Sequence, residues 1–347
     1  MRNWKLFLGC LVVLFSCAGS KNTGKISQLI KLDGYAQGTT FSISYIANDS
    51  AVTMAHVMAY FHELDQSLSI YKQGSLINQF NESEEGVPVD HHLKSVVQKA
   101  FESAKASNGL FDITVFPLVN VWGFGNRQPR GHLPDSMTIS QIKLCVDYRL
   151  LQLQGSVLYK KKPCVKIDVN GIAQGYSVDF MAGKLAALGI KNYLIEIGGE
   201  VRSGGRNIVL NRDWIVGVEQ PATDEFGEPL RALVRLKNVS LTTSGNYRKF
   251  YTTNGKYVSH LIDPRTGYSF TNNMVSATVL SKNAITADAY DNVLMGLGME
   301  KAIEFVKRHK ELEAYIIYKN ANGDVADTMT AGFKKYILKN QDAVSEK

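Results

Sequence analysis

The sequence predicts an α+β fold, one unit built of two closely packed lobes, and three observations predict it. Helical and strand patterns are interspersed along the 347 residues without a strict βαβ rhythm. No Gly-x-Gly-x-x-Gly follows a strand pattern, which leaves a doubly wound dinucleotide-binding sheet unsupported. No internal repeat and no linker divides the middle of the chain. Its 45% hydrophobic content suffices for one large core or two modest ones.

The elements follow in order. Residues 40–46 alternate with period two, as a half-buried strand does. Met54, Val57, Met58, Phe61, Leu64 and Leu68 then recur at helical spacing and form one apolar stripe. Leu93, Val96, Val97, Ala100, Phe101 and Ala104 form a second, stopped by Asn108-Gly109. A third helix is expected from Gln174 to Leu188, closed by Gly189. Short strands with glycine turns are expected over 192–197, 207–210, 214–219, 231–237 and 257–262. A last helix, about 286–309, leads into a hairpin in which Tyr315–Tyr318 and Lys335–Leu338 flank a loop containing Asn322-Gly323.

The first seventeen residues read as an export signal: Arg2 and Lys5, then an apolar stretch from Leu6 to Phe15, then small residues. That stretch is too short for a mature spanning helix, which needs about 20 apolar residues. Leu14-Phe15-Ser16-Cys17 resembles a bacterial lipobox, so Cys17 is the expected lipidation site. A plain secretory signal is the alternative. Residues 18–30 read as a flexible tether and 31–340 as the folded domain. A lipid-anchored protein on a bacterial cell membrane, facing the periplasm, is the expected location. Of the other cysteines, Cys10 leaves with the signal. Cys145 and Cys164 could pair in an oxidising compartment or remain free, and spacing does not decide.

The formal net charge is +7, or +5 without Arg2 and Lys5. Apart from Lys160-Lys161-Lys162 the basic residues are dispersed. This balance suits a phosphate-bearing ligand or an anionic membrane surface and gives no support for nucleic-acid binding.

Five polar or glycine-rich stretches interrupt the core pattern. Gly109-Leu110-Phe111-Asp112-Ile113-Thr114, continuing to Trp122-Gly123-Phe124-Gly125, mixes aromatic and apolar residues around one carboxylate. Such a mix can hold a flat ring, although a packed strand end and turn is the plainer reading of the stretch alone. Lys166 to Tyr176 reads as a strand, a polar elbow and a helix start. Gly171 and Gly175 allow close backbone approach there, and free N–H groups can meet an anion; ordinary capping by Asp168 and Asn170 is the plainer reading. Ile197-Gly198-Gly199-Glu200 is a tight turn. Thr242 to Tyr247 and His260 to Gly267 place a histidine near Asp263 and Arg265, where it can titrate near neutral pH. In Thr286 to Met295, if helical, Asp288 and Asn292 share a face with Asp291 beside them. A carboxylate and an amide oxygen suit Mg²⁺, though a capping Asp288 on a solvated helix edge fits the same spacing.

Taken together, and in this order, these stretches resemble the ApbE family of FAD:protein FMN transferases, from about Tyr35 to near Lys307. The resemblance implies a mixed, largely antiparallel sheet with helices, related to the T-fold. It implies that Tyr71 packs on the flavin and that Leu110, Phe111 and Asp112 line the FAD pocket. Asp168, Gln174 and Ile262 would add contacts, with one more from Gln37. Mg²⁺ would be held by the carbonyl of Gly171, the Asp288 carboxylate and the Asn292 side chain. Three positions depart from the family: Gln37 stands where methionine is usual, Gln174 where lysine or glutamate is frequent, and Asn292 where threonine is frequent.

The implied reaction is phosphoryl transfer from FAD, with AMP leaving and FMN passing to a threonine or serine of an acceptor flavoprotein. His260 and Asp288 are the candidate catalytic side chains. Family acceptors carry Asp-x-x-Ser/Thr-x-Ala-Ser/Thr and belong to membrane redox complexes. Asp327-Thr328-Met329-Thr330-Ala331-Gly332 begins like that motif and then fails it, so self-flavinylation is not expected. Two alternatives remain at this stage: an Mg²⁺-dependent FAD pyrophosphatase, and a non-catalytic FAD-binding lipoprotein.

Overall fold

The computed structural model describes residues 27–125, 133–219, 230–247, 249–253 and 255–338. Cys17, the signal and most of the tether lie outside them. Strand β1 (Gln28–Ala36) takes in the last three tether positions, so regular structure begins before the expected boundary at 31. It turns into β2 (Thr39–Ala47) through Gln37 and Gly38, at φ 52° and 76°, the left-handed pair that a tight hairpin requires.

Helix α1 (Met54–Leu68) starts at Thr53, whose hydroxyl accepts the His56 N–H while the His56 ring accepts the Thr53 N–H. Of the expected stripe Val57, Phe61, Leu64 and Leu68 are buried, whereas Met54 and Met58 are exposed, so the buried face is narrower than the apolar pattern. Then come α2 (Leu76–Glu82), which no sequence signal announced, β3 (Gly86–Pro88) and α3 (His91–Ala106). α3 stops before Asn108 and Gly109, both at positive φ, as expected. After α4 (Phe116–Val121) and α5 (Ser136–Lys143), β4 (Leu151–Gln154) and β5 (Val157–Lys160) join β3 in a small antiparallel sheet. Cys145 and Cys164 form a disulfide.

Helix α6 (Asn170–Ala187) starts four residues before the expected Gln174, with a kink at Gly171. β6 (Tyr193–Ile197) and β7 (Glu200–Gly204) form a hairpin through Gly198-Gly199. The strand expected over 207–210 is instead a turn. The Asn207 side chain accepts the Leu210 N–H, and the backbone bridges from Asn207 to Arg212. β8 (Trp214–Glu219) and β9 (Leu230–Leu236) pair as a ribbon. The polar stretch at 242 proves to be a central strand, β10 (Ser240–Gly245). Strands β11 (Phe250–Thr253) and β12 (Lys256–Ser259) follow, and the strand expected over 257–262 ends at Ser259.

After β13 (Met274–Ser281), the single helix expected over 286–309 is two: α7 (Ala284–Leu297) and α8 (Met299–Arg308). They are broken at Gly298, whose φ of +77° no α-helix accommodates. β14 (Glu313–Lys319) turns at Asn322-Gly323 as expected, but its partner is β15 (Val325–Met329). Residues 335–338 instead continue a 3-10 turn toward a bridge between Ile337 and Val234.

The main sheet has the order β1-β2-β6-β7-β10-β13-β14-β15, and its pairings are antiparallel throughout the described residues. Both faces are covered. α1, α6 and α7 pack on one through Phe41, Phe61, Val178 and Ala287, while the β8–β9 ribbon and Phe333 pack on the other around Trp214 and Ile317. One apolar cluster runs from Leu93 and Leu158 of the helical lobe to Ala277 and Ile316 of the sheet lobe, so the α+β, two-lobed reading holds. Among the described residues no helix is long and apolar enough to cross a membrane.

Candidate functional site

Helices α6 and α7 lie antiparallel, with the start of α6 at Gly171 against Asn292 and the start of α7 at Ala284 against Asp179. Asp179 of α6 accepts the backbone N–H groups of Ala284 and Ile285, capping α7 from a neighbouring helix and fixing where Asp288 falls. Gly175 lies so close to α7 that a Cβ there would stand 2.5 Å from the Ala284 carbonyl oxygen and 2.7 Å from the Asp288 Cβ. The sequence thus brings Asp288 onto the elbow through one glycine and one cap.

A continuous cleft results, with two chemically different ends. One is apolar and aromatic, lined by Tyr71, Leu110, Phe111, Phe124, Ile262 and Phe270, with Asp112 and Asp168 among them. The other is polar, lined by Gln37, Gln174, Glu200, Ser244, Asp288 and Asp291. Asn170, Gly171, Lys249, His260 and Asn292 border both ends. Every site residue expected within the described chain therefore reaches one cleft: Gln37, Tyr71, Leu110, Phe111, Asp112, Asp168, Gly171, Gln174, His260, Ile262, Asp288 and Asn292.

The polar end concentrates buried carboxyl groups, those of Glu200, Asp288 and Asp291. Burial first, then the neighbouring Asp179 charge, raises Asp288 to about 7, against the bond it accepts from Gly175. Asp291 is raised well above the carboxylate range by burial, then by Asp288, with Glu200 contributing. Its Oδ1 accepts from the Asn292 amide, and its Oδ2 forms no hydrogen bond. Buried carboxylates crowded this way, one with an orphaned oxygen, are the donor set that a hard divalent cation relieves. The amide nitrogen of Asn292 faces the Gly171 carbonyl at 3.3 Å, and its oxygen accepts from Ser244 at 3.2 Å. A half-turn of the amide would present that oxygen beside Gly171 instead.

At the apolar end Asp112 does structural work. Its carboxylate accepts the Thr114 N–H and hydroxyl and the Tyr148 N–H, and burial raises it to about 6. Asp112 thus caps the 3-10 turn Ile113–Val115, where a packed strand end was the plainer expectation, while it still lines the cavity. Asp168 accepts the Asn170 N–H and is also raised to about 6 by burial. Tyr71 is 61% exposed, yet its hydroxyl receives the Asn170 amide at 3.3 Å, so the ring stands over the cavity mouth. Gln37 is anchored by its amide to Asp65, and Gln174 lies under Gly198.

His260 sits where the two ends meet. Its Nδ1 lies 3.0 Å from the Lys249 carbonyl, which can only accept, so Nδ1 carries the proton and a neutral ring keeps its lone pair on Nε2. Asp263, three residues on, pairs with Arg265 at 2.9 Å. Sequence reasoning passed over Lys249 and Phe270, and took Glu200 only as part of a tight turn. Lys249 lies in a turn without periodicity and Glu200 in a two-glycine hairpin, and only the folded arrangement singles them out.

The ApbE family model matches residues 37–316. FAD:protein FMN transferases of Haemophilus influenzae and Escherichia coli K12 are 33% and 34% identical to the chain. They cover 90% of it in each case, and 92% and 90% of their own lengths are matched. Among solved structures, the flavin transferase ApbE from Vibrio cholerae superposes with a TM-score of 0.80 at 29% identity, over 90% of this chain and all of that one. The apo flavinyl transferase ApbE of Pseudomonas stutzeri gives 0.79 at 28%, over 89% of this chain and 97% of its own.

Proposed function

The chain belongs to the ApbE family, and from that premise we propose that it is an FAD:protein FMN transferase working on acceptors outside the cytoplasm. The observation that carries this is the single cleft with an aromatic end fit for a flavin and a carboxylate end fit for a cation.

FAD lies along the cleft in this reading. Tyr71 closes over the flavin, Leu110, Phe111 and Ile262 exclude water from the ring, and Asp168 and Gln174 orient polar edges. Gly171, Asp288 and Asn292 would hold Mg²⁺, which when bound supplies positive charge against the diphosphate oxygens. Lys249 adds a second positive charge at the junction of the two ends. A serine or threonine hydroxyl of the acceptor attacks the FMN-side phosphorus. A new P–O bond forms, the anhydride bond breaks, and AMP leaves with its electron pair. The hydroxyl proton passes to Nε2 of His260, which the Lys249 carbonyl holds in the accepting tautomer.

The acceptor would carry Asp-x-x-Ser/Thr-x-Ala-Ser/Thr on the periplasmic face of a membrane. A diacylglyceryl group on Cys17 would keep the enzyme at that surface. The related segment of the chain itself is unsuited as acceptor, since Glu313 holds the Thr330 hydroxyl. Incubation with FAD, Mg²⁺ and an acceptor domain should add the mass of FMN, less water, to the acceptor. Rapid FMN release without acceptor, and no adduct with it, would favour a pyrophosphatase.

A further inference from the structure

The β1–β2 hairpin, helix α6 and the β6–β7 hairpin all run between two opposite ends of the sheet lobe. At one end lie Gln37 and Gly38, Asn170 and Gly171, and Gly198, all bordering the cleft. At the other lie Ser27, the α6 terminus at Leu188, and the turn after β7. Ser27, Leu188 and Ile208 line one shallow groove there.

That turn carries Ile208, Val209 and Leu210 in succession, 48%, 49% and 54% exposed, with Leu188 beside them at 51%. Three consecutive exposed aliphatic residues at a turn tip, adjoining a fourth, make an apolar patch of the kind that marks an interaction surface. The turn is built: Asn207 is buried and accepts the Leu210 N–H, and Arg206 donates to the Asn211 carbonyl. The apolar side chains are thus presented outward on a braced loop.

We propose that this patch is a membrane-contacting surface, resting in the interfacial region of a lipid bilayer and holding the cleft on the side away from it. The inference rests on the lipidation of Cys17 proposed above. Nine residues lie between Cys17 and Ser27, a reach of at most about 35 Å, and Ser27 sits in the groove beside the patch. A tether of that length reaches more than one face of the protein; the patch selects which face lies down. The same groove carries exposed Lys191, which suits the headgroup layer, beside exposed Asp49. α6 has 18 residues, so the cleft at its start stands about 27 Å from the patch, open to an acceptor that projects from the membrane.

The test uses the full lipidated protein reconstituted into vesicles of phosphatidylethanolamine and phosphatidylglycerol. An environment-sensitive fluorophore is attached at V209C or, as control, at N322C in the β14–β15 turn at the cleft end of the sheet. Lipid-borne nitroxide should quench the label at 209 severalfold and leave that at 322 unaffected. The triple change I208D, V209D and L210D should release a label at L188C from quenching while FAD binding persists. Equal quenching at 209 and 322, or none at 209, overturns the inference. So does absence of lipid quenching with the mass of a dimer in sedimentation, which would mean that a second copy covers the patch. The mass of the N-terminal peptide from the same preparation separates the two ideas. Acylated Cys17 with an unquenched 209 defeats the surface alone, whereas unmodified Cys17 defeats the anchor.

Discussion

The backbone N–H of Gly175 donates to Asp288 Oδ2 over 2.7 Å. In a regular α-helix that donor would serve the carbonyl four residues back, which is Gly171. The kink at Gly171 and the turning of Gly175 toward Asp288 therefore occur together, and the Gly171 carbonyl instead meets the Asn292 amide at the cleft. One bond thus ties the two helices that carry the proposed cation donors and exposes one of those donors.

Gly175→Ala tests this link. Its Cβ would strike backbone of α7, which cannot yield locally as a flexible side chain can. The expected cost is about 1–3 kcal/mol by urea unfolding, typical of overpacking, with Mg²⁺ affinity reduced by more than the stability loss explains.

Stability should depend on pH and cation together. Asp288 sits at about 7 against an ordinary 3.8, and Asp112 and Asp168 at about 6. Between those values the folded chain binds more protons than the unfolded one, so stability falls as pH rises from about 4 to about 7. In EDTA the melting temperature should be lower at pH 8 than at pH 5, with Mg²⁺ recovering part of the difference at pH 8. Asp288→Asn should raise the EDTA value at pH 8 and abolish that recovery. A cation effect unchanged in the variant would remove Asp288 from the metal site.

His260→Ala should slow transfer to an acceptor by about 10²–10⁴-fold, the range for loss of a general base, with FAD affinity retained in a fluorescence titration. Unchanged turnover would take His260 out of the mechanism.

Cys145–Cys164 joins the approach to Tyr148, which binds Asp112, to the segment leading into Asp168. Serine at both positions should cost about 3 kcal/mol in guanidinium unfolding, as expected for a loop of this length. FAD affinity should fall too, because both carboxylates lose their bracing.

The amphipathic helices were legible because their stripes bury against one layer, as Val57, Phe61, Val96 and Ala100 show. β10 and β7 were not. Ser240, Thr242 and Ser203 are polar residues buried because helices or the ribbon cover the sheet there, a fact held by partners distant in sequence. The opposite error occurred at Ile208-Val209-Leu210, where an apolar run reads as a strand but is an exposed turn. The candidate residues were named through family resemblance, and the fold brings them to one cleft. That Gly171 and Asp288 border one cleft depends on the Gly175 contact and the Asp179 cap, which no local pattern reveals. Lys249 escaped for the same reason, and Glu200 was legible only as part of a turn.

Mn²⁺ in place of Mg²⁺ offers the most direct measurement, because it suits the same oxygen donors and broadens nearby nuclei. Both phosphorus resonances of bound FAD should broaden beyond detection in the native protein and stay sharp in Asp288→Asn with FAD still bound. Sharp resonances in native protein saturated with Mn²⁺ and FAD would contradict a cation lying between α6, α7 and the diphosphate.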